Sequence, residues 1–384
     1  MKVLMVGGGT GGHITPALAV ADVLKSTMPD MEIRFAGTAS GIESNLVPDE
    51  GYELMTLPAR GVTGTSGRAR LSALVTLVRG TLRSIRALQS WRPDVVFSTG
   101  GYVAPPVCLA AWLRGIPIVI FEPNTIAGRA NRILSRLATE IHLGNAMART
   151  SLPCKEKVRL TGVPVRHQIH FGNRARAVRM YRLDPGRFTV LVLGGSQGAH
   201  AINGHVVDAI RELGSRDDIQ FVLQSGPVDY ESLLTEVRPL SIRTWVRPFI
   251  HQMGDALAVA DLVIARAGAL TLAEICVTGI SSILIPYPHA ADNHQVSNAR
   301  YLEEVGAAKV FLSEEVSGPV LAQEISGLMK NYHELRSRGI NAQKLSRLDA
   351  AEKVATRIAA LAGAAWPAEE RPRRRRRKRA GEEA

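Results

Sequence analysis

No uninterrupted apolar stretch of this 384-residue chain approaches the roughly 20 residues that a bilayer span requires. The start, Met1-Lys-Val-Leu-Met-Val6, reaches glycine too soon for a signal peptide's apolar region, so the expectation is a chain that stays in the cytoplasm. Cysteine is scarce: Cys108, Cys154 and Cys276 lie far apart with no Cys-x-x-Cys spacing, which argues against a metal or redox site and reads as inert thiols, buried or partly so. There is no Asp-x-Asp element to hold a metal diphosphate, so no tightly bound divalent ion or other cofactor is implied. Neither glycine-rich loop is followed by Lys-Ser/Thr, which excludes a P-loop.

Two glycine-rich loops, one in each half, dominate what is present. Gly7-Gly-Gly-Thr-Gly-Gly-His13 and Gly194-Gly-Ser-Gln-Gly-Ala199 each follow an apolar run that reads as a buried parallel strand. Each opens a helix-compatible segment, Ile14 to Lys25 and Ala199 to Leu213. Backbone N–H groups at the positive end of a helix dipole favour a phosphate or another developing anion. Strand-like runs near Lys2–Val6, Glu32–Ala36, Glu53–Leu57, Asp94–Ser98, Ile116–Ile120 and Glu140–Leu143 alternate with helical stretches. A second set follows near Arg187–Leu193, Ile219–Leu223, Thr244–Val246, Leu262–Ile264, Ser281–Ile285 and Lys309–Leu312. The spacing predicts two α/β domains with parallel sheets, joined near Gly162-Val-Pro-Val-Arg166: residues 1–163 and 164–349, then a helix in 350–365 and a basic tail, 366–384.

The first loop satisfies Gly-x-Gly-x-x-Gly through Gly7, Gly9 and Gly12, but the second strand ends Arg34-Phe-Ala-Gly-Thr38 without the acid that a dinucleotide's ribose needs. A better ribose partner is Glu274, on the first turns of a helix after Ala265-Arg-Ala-Gly268; alone, it reads equally as an acid favouring the helix dipole. His294, Gln295 and Asn298 crowd the next loop and helix start, where amides either read sugar hydroxyls or cap the helix.

The formal charge of +12 is shared. Residues 366–384 carry eight Lys/Arg and four Glu, leaving a net of eight positive charges on the body. The run Arg371–Arg379 is too charged to pack; it solubilises, binds an anionic membrane surface or binds nucleic acid, the last being disfavoured because no nucleic-acid-reading module accompanies it. Arg68 to Arg86 spaces apolar groups helically among five arginines and no acids, which fits either a basic amphipathic docking face or a helix packed on its own domain.

These motifs, together with Ser98-Thr-Gly-Gly-Tyr102, Glu122-Pro-Asn124 and Arg266-Ala-Gly-Ala-Leu-Thr271, occur in an order that resembles the family 28 N-acetylglucosaminyltransferases. The resemblance spans roughly Met1 to Leu361. It implies a GT-B fold, two Rossmann-like domains facing a cleft, and transfer of N-acetylglucosamine from UDP-N-acetylglucosamine to the muramoyl 4-hydroxyl of lipid I, forming lipid II. It further implies that Ser196 and Gln197 face the diphosphate, that Ile250 fixes the uracil through its backbone, and that Ala269, Leu270, Thr271, Leu272, Ala273 and Glu274 hold diphosphate and ribose. Gln295, with His294 and Asn298, would read the sugar, and Thr10, Gly11, Gly12, Asn124 and Arg166 would complete the site.

Three positions depart from the family's habit: Phe121 stands where His is common, Ala267 where Ser is, and His294 where Gln is frequent. An inverting transfer needs a base for the acceptor hydroxyl; His13 is the candidate, with helix capping or pyrophosphate binding as its other readings. The lipid acceptor implies peripheral attachment to the cytoplasmic face of the cell membrane through anionic lipids. A diacylglycerol glycosyltransferase, a UDP-N-acetylglucosamine 2-epimerase and a non-catalytic nucleotide-sugar- or RNA-binding protein are the competing readings.

Overall fold

The structure is a computed structural model that describes residues 1–58, 67–195 and 198–367, with side chains of the helix Gly67–Trp91 described from residue 75 onward. The first sheet contains β1 (Lys2–Val6), β2 (Glu32–Gly37), β3 (Glu53–Thr56), β4 (Val95–Ser98), β5 (Ile118–Glu122), β6 (Glu140–Leu143) and β7 (Val158–Leu160), in the order β3-β2-β1-β4-β5-β6-β7. The second contains β8 (Phe188–Leu193), β9 (Ile219–Gln224), β10 (Thr244–Arg247), β11 (Leu262–Ala265), β12 (Ser281–Leu284) and β13 (Ala308–Val310), in the order β10-β9-β8-β11-β12-β13. All strand pairings among the described residues are parallel; β1 lies beside β4 with Val3 opposite Val95, and β8 beside β11 with Leu262 opposite Val190. Twelve of the strands are the twelve expected, within a few residues. The thirteenth, β7, was not anticipated: three residues at a sheet edge, mostly exposed, carry no period to read.

Successive side chains of a strand point to opposite faces, so β1 builds two cores at once. Leu4 and Val6 face α3 (Gly67–Trp91) and α4 (Ala104–Leu113), while Val3 and Met5 face α1 (Gly11–Thr27). Helices covering both faces explain why these strands read as continuous apolar runs. Phe121, the departure from the family's usual histidine, is wholly buried in the core beneath α1, near Phe97. Cys108 and Cys276 are buried and Cys154 partly so, as expected, and burial pushes the first two thiols up to about 12.

The helix Ala350–Leu361 returns to the first sheet, placing Val354, Ala355 and Ile358 in the core with Leu18 and Phe97. Its Arg357 pairs with the buried Glu140 of β6, which Arg159 and His142 also contact. Burial pushes the Glu140 carboxyl up, but hydrogen bonds from Arg357, His142 and Arg159 outweigh it and hold the pKa at about 2. Because that value lies below the ordinary 4.5, the contribution is present above 4.5 and is lost as pH falls toward 2. Glu140→Gln is therefore expected to lower stability by about 2 kcal/mol at neutral pH, the partners' exposure limiting the loss. Urea denaturation at pH 7 and pH 3 checks this: the gap between the two proteins should shrink at the lower pH, and equal midpoints at pH 7 would refute the assignment.

Both sheets reverse strand order next to their glycine-loop strand, between β1 and β4 and between β8 and β11. A crevice opens beyond the carboxyl ends of strands at such a point. The α1 helix contacts the helix Ala269–Thr278, which follows β11, so the elements leaving the two crevices meet.

Candidate active site

In the first crevice, loop Gly7–Thr10 leaves β1 and α1 begins at Gly11, without a side-chain cap on its first amides. Thr10 and Gly12 are exposed and Gly11 partly so. His13 lies partly buried on the first turn, its Nδ1 3.0 Å from the Thr99 carbonyl oxygen. A carbonyl only accepts, so Nδ1 carries the proton and the Nε2 lone pair of the neutral ring remains available. Thr99 Oγ1 lies 2.7 Å from the His13 carbonyl and holds this turn to the loop after β4. Burial lowers the His13 pKa; the charge of Glu122 and the bond to Thr99 act in the opposite direction without cancelling it.

Glu122 ends β5 almost completely buried. It accepts hydrogen bonds from the backbone and side chain of Asn124, the Gly128 N–H and Asn131 Nδ2, at 2.9–3.0 Å. Asn131 Oδ1 is buried without a partner among the described residues. A methyl group on Gly100 would lie about equally close, 3.5–3.6 Å, to His13 Cε1 and to this amide. Glu122, Asn131 and Thr99 thus stand around the imidazole, although none was singled out from the sequence as acting on it.

In the second crevice, the helix Ala269–Thr278 follows Gly268. Leu272 is in the core, so only its backbone can face a ligand, whereas Ala269, Leu270, Thr271 and Ala273 are partly exposed. Glu274 is nine-tenths buried and its carboxyl makes no hydrogen bond among the described residues. Burial alone raises its pKa to about 8. A buried acid without a partner is costly unless something supplies donors, which makes Glu274 the strongest ligand-binding candidate in this half.

Ile250 is buried, and its N–H donates to Gln224 Oε1 at 3.0 Å, leaving only its carbonyl for a base. Gln224 Nε2 donates to the Gly195 carbonyl at 3.0 Å, so this side chain braces the second glycine loop against the Ile250 turn. Gln224 carries no signal in the sequence, because an isolated Gln at a strand end has no motif. Ser196 and Gln197 lie outside the described residues.

The remaining predicted residues join the two halves. Asn298 is buried and saturated: its Oδ1 accepts from the Thr125 N–H and hydroxyl, and its Nδ2 donates to Asn124 Oδ1 and the Ala267 carbonyl, all at 2.8–3.1 Å. Asn124 and Asn298 therefore hold one another here. Asp292 bridges to Arg129 and Arg132 of the first half. His294 Nδ1 approaches the Ala291 carbonyl at 2.7 Å, within its own turn, and Gln295 Oε1 accepts from the Tyr287 N–H at 3.0 Å, leaving the Gln295 amide nitrogen open. Arg166 is not directed to the second crevice: its guanidinium pairs with Glu50 and with Asp22, the latter at 3.3 Å.

The models of the glycosyltransferase family 28 N-terminal and C-terminal domains match residues 3–143 and 189–354. The UDP-N-acetylglucosamine–N-acetylmuramyl-(pentapeptide) pyrophosphoryl-undecaprenol N-acetylglucosamine transferase of Thermodesulfovibrio yellowstonii is 39% identical over 355 residues, covering 92% of this chain and 97% of its own. Acinetobacter baumannii MurG superposes with a TM-score of 0.71 at 29% identity, over 93% of this chain and 99% of that one. A UDP-N-acetylglucosamine 2-epimerase structure, with a TM-score of 0.68 at 12% identity over 94% and 96% of the two chains, shares the fold alone.

Proposed function

Because the chain belongs to the family 28 glycosyltransferases, we propose that its two crevices divide one transfer between them, the second holding the donor and the first presenting the acceptor. The enzyme moves N-acetylglucosamine from UDP-N-acetylglucosamine to undecaprenyl-linked N-acetylmuramyl-pentapeptide, converting lipid I to lipid II for peptidoglycan. The observation that carries the division of labour is a pair of unlike groups: at Glu274 a buried carboxyl without a hydrogen-bond partner among the described residues, and at His13 a partly buried, neutral imidazole with a free Nε2.

Glu274 accepts the ribose hydroxyls, and the amides of Ala269 to Ala273 face the diphosphate, with Ser196 and Gln197 of the second glycine loop. The Ile250 carbonyl meets the uracil, and the open Gln295 nitrogen with His294 reads the sugar. Thr10, Gly11 and Gly12 line the acceptor side; Asn124 and Asn298 align the halves, and Arg166 anchors the linker on Glu50 and Asp22. The muramoyl 4-hydroxyl attacks the anomeric carbon in line: the new C–O bond forms, the bond to the diphosphate breaks with its electron pair leaving on UDP, and the hydroxyl proton passes to His13 Nε2. The helix dipole and loop amides stabilise the departing charge.

No described helix is long and apolar enough to cross a membrane. The α3 helix carries features that support each reading of its sequence. Ser84, Leu88 and Trp91 are buried on its own domain, while Val75, Val78 and Leu82 are exposed, as are Trp112 and Leu113 at the end of α4, the helix packed against α3. Arg79, Arg83 and Arg86 of the same helix, and Arg114 after α4, are exposed without an ion-pair partner among the described residues. This face docks the enzyme on the anionic cytoplasmic surface of the cell membrane; the tail from residue 368 lies outside the described residues and adds charge.

The test measures UDP release from UDP-N-acetylglucosamine with lipid I in anionic vesicles, with a soluble lipid I analogue, and with no acceptor. Release should require an acceptor, and donor turnover without one would favour an epimerase or hydrolase. Changing Val78 and Leu82 together to serine should reduce vesicle-dependent turnover about tenfold and leave the soluble reaction intact. Equal turnover on vesicles would make the α3 face merely a surface.

A further inference from the structure

Glu43 lies outside the donor and acceptor contacts assigned above. It begins α2 (Glu43–Asp49), immediately after the β2 loop, and is fully buried. Its Oε2 accepts the Gly9 N–H at 2.9 Å; its Oε1 accepts the Thr38 N–H at 2.8 Å and the Thr38 hydroxyl at 2.7 Å. No basic side chain pairs with it among the described residues. Burial pushes its carboxyl up, and the hydrogen bonds from Thr38 and Gly9 more than offset this, so the group stays charged at neutral pH.

Three glycines wall this carboxylate. A methyl group on Gly8, Gly37 or Gly41 would lie 2.4, 2.5 or 2.1 Å from an atom of the Glu43 side chain. The first loop therefore resembles a phosphate cradle in sequence but has, at Gly9, already accepted an anion from its own chain. What remains of the motif is a rigid turn whose next residues start α1 and carry His13, itself tied to Thr99. We infer that Glu43 is a positioning residue for the transfer: an internal carboxylate that occupies the first glycine loop in place of a phosphate and so fixes the turn presenting His13 to the acceptor. The inference rests on His13 acting as the base.

The experiment compares the full chain with its Glu43→Gln, Glu43→Ala, Thr38→Val and His13→Ala variants, each checked for a cooperative melt. It measures kcat and donor KM with a soluble lipid I analogue. Glutamine keeps the volume but turns an N–H₂ group toward one set of donors, so kcat should fall about tenfold with the donor KM within about twofold. Glu43→Ala leaves room for a small anion beside the Gly9 N–H, and sodium formate, against a sodium chloride control, should restore part of its kcat.

A folded Glu43→Gln variant with unchanged kcat would overturn the proposal. So would a rise in donor KM alone, which would assign Glu43 to the donor side. Failure of formate to restore kcat in a folded Glu43→Ala variant would likewise reject the internal-anion role. If the Glu43 variants fail to fold, Thr38→Val decides: a fall of about two- to fivefold in kcat supports positioning, and parental kcat makes Glu43 a folding residue only. His13→Ala distinguishes the two readings. If it keeps its kcat, the base assignment has failed; if it loses kcat while Glu43→Gln does not, only the positioning role has failed.

Discussion

Replacing His13 with alanine is expected to lower kcat by about 100-fold or more while the KM for UDP-N-acetylglucosamine stays within about twofold. The expectation follows from the tautomer. The Thr99 carbonyl requires the proton on Nδ1, which leaves Nε2 to receive the acceptor's proton without prior rearrangement. Burial holds the imidazole below its ordinary value of 6.5, so the ring is already neutral at pH 7. The acid limb of the kcat/KM profile should accordingly fall below pH 6.5 and disappear in the variant. Steady-state assays with a soluble lipid I analogue check both points. A loss confined to acceptor affinity would make His13 a pyrophosphate contact instead of the base.

The second large effect concerns Glu274. Glu274→Ala is expected to raise the donor KM about ten- to hundredfold, equivalent to about 1.5–3 kcal/mol for a charge-assisted hydrogen bond, with the fold retained. Among the described residues no group donates to the buried carboxyl, and burial raises its pKa to about 8, so it is largely protonated at pH 7. If ribose hydroxyls supply the missing donors, as proposed, donor affinity should rise as pH passes from 7 to above 8. Without donor the stability effect has the opposite sign. The folded state holds an extra proton between 4.5 and about 8, so stability falls with pH across that interval and levels off above it. Glu274→Gln should remove both slopes. Calorimetric titration with the donor and melting curves from pH 6 to 9 are the measurements, and an unchanged donor KM in Glu274→Ala would remove the residue from the site.

The sequence alone determined the alternation of strands and helices, the two loops and the order of their motifs, because each is encoded over a few neighbouring residues. The burial of β1 is written in Val3-Leu-Met-Val6, and the start of the helix at Ala269 in the glycine before it. Glu274 could be picked out only because other motifs accompany it, since alone an acid on the first turns after a glycine is explained equally by the helix dipole. Only the tertiary structure decided how other residues of the same motifs are spent. Gly9 looked available to a phosphate until Glu43, 34 residues away, took its amide. Asn298, expected at the sugar, and Asn124, expected to complete the site, lie 174 residues apart and bind one another across the halves. Arg166 found Glu50 and Asp22, and Arg357 carried the last helix back to Glu140. A residue's conformational and burial preferences are local and survive in the linear chain, whereas a buried donor takes whichever acceptor the packed chain brings within 3 Å, and that choice is made only when the distant segments meet.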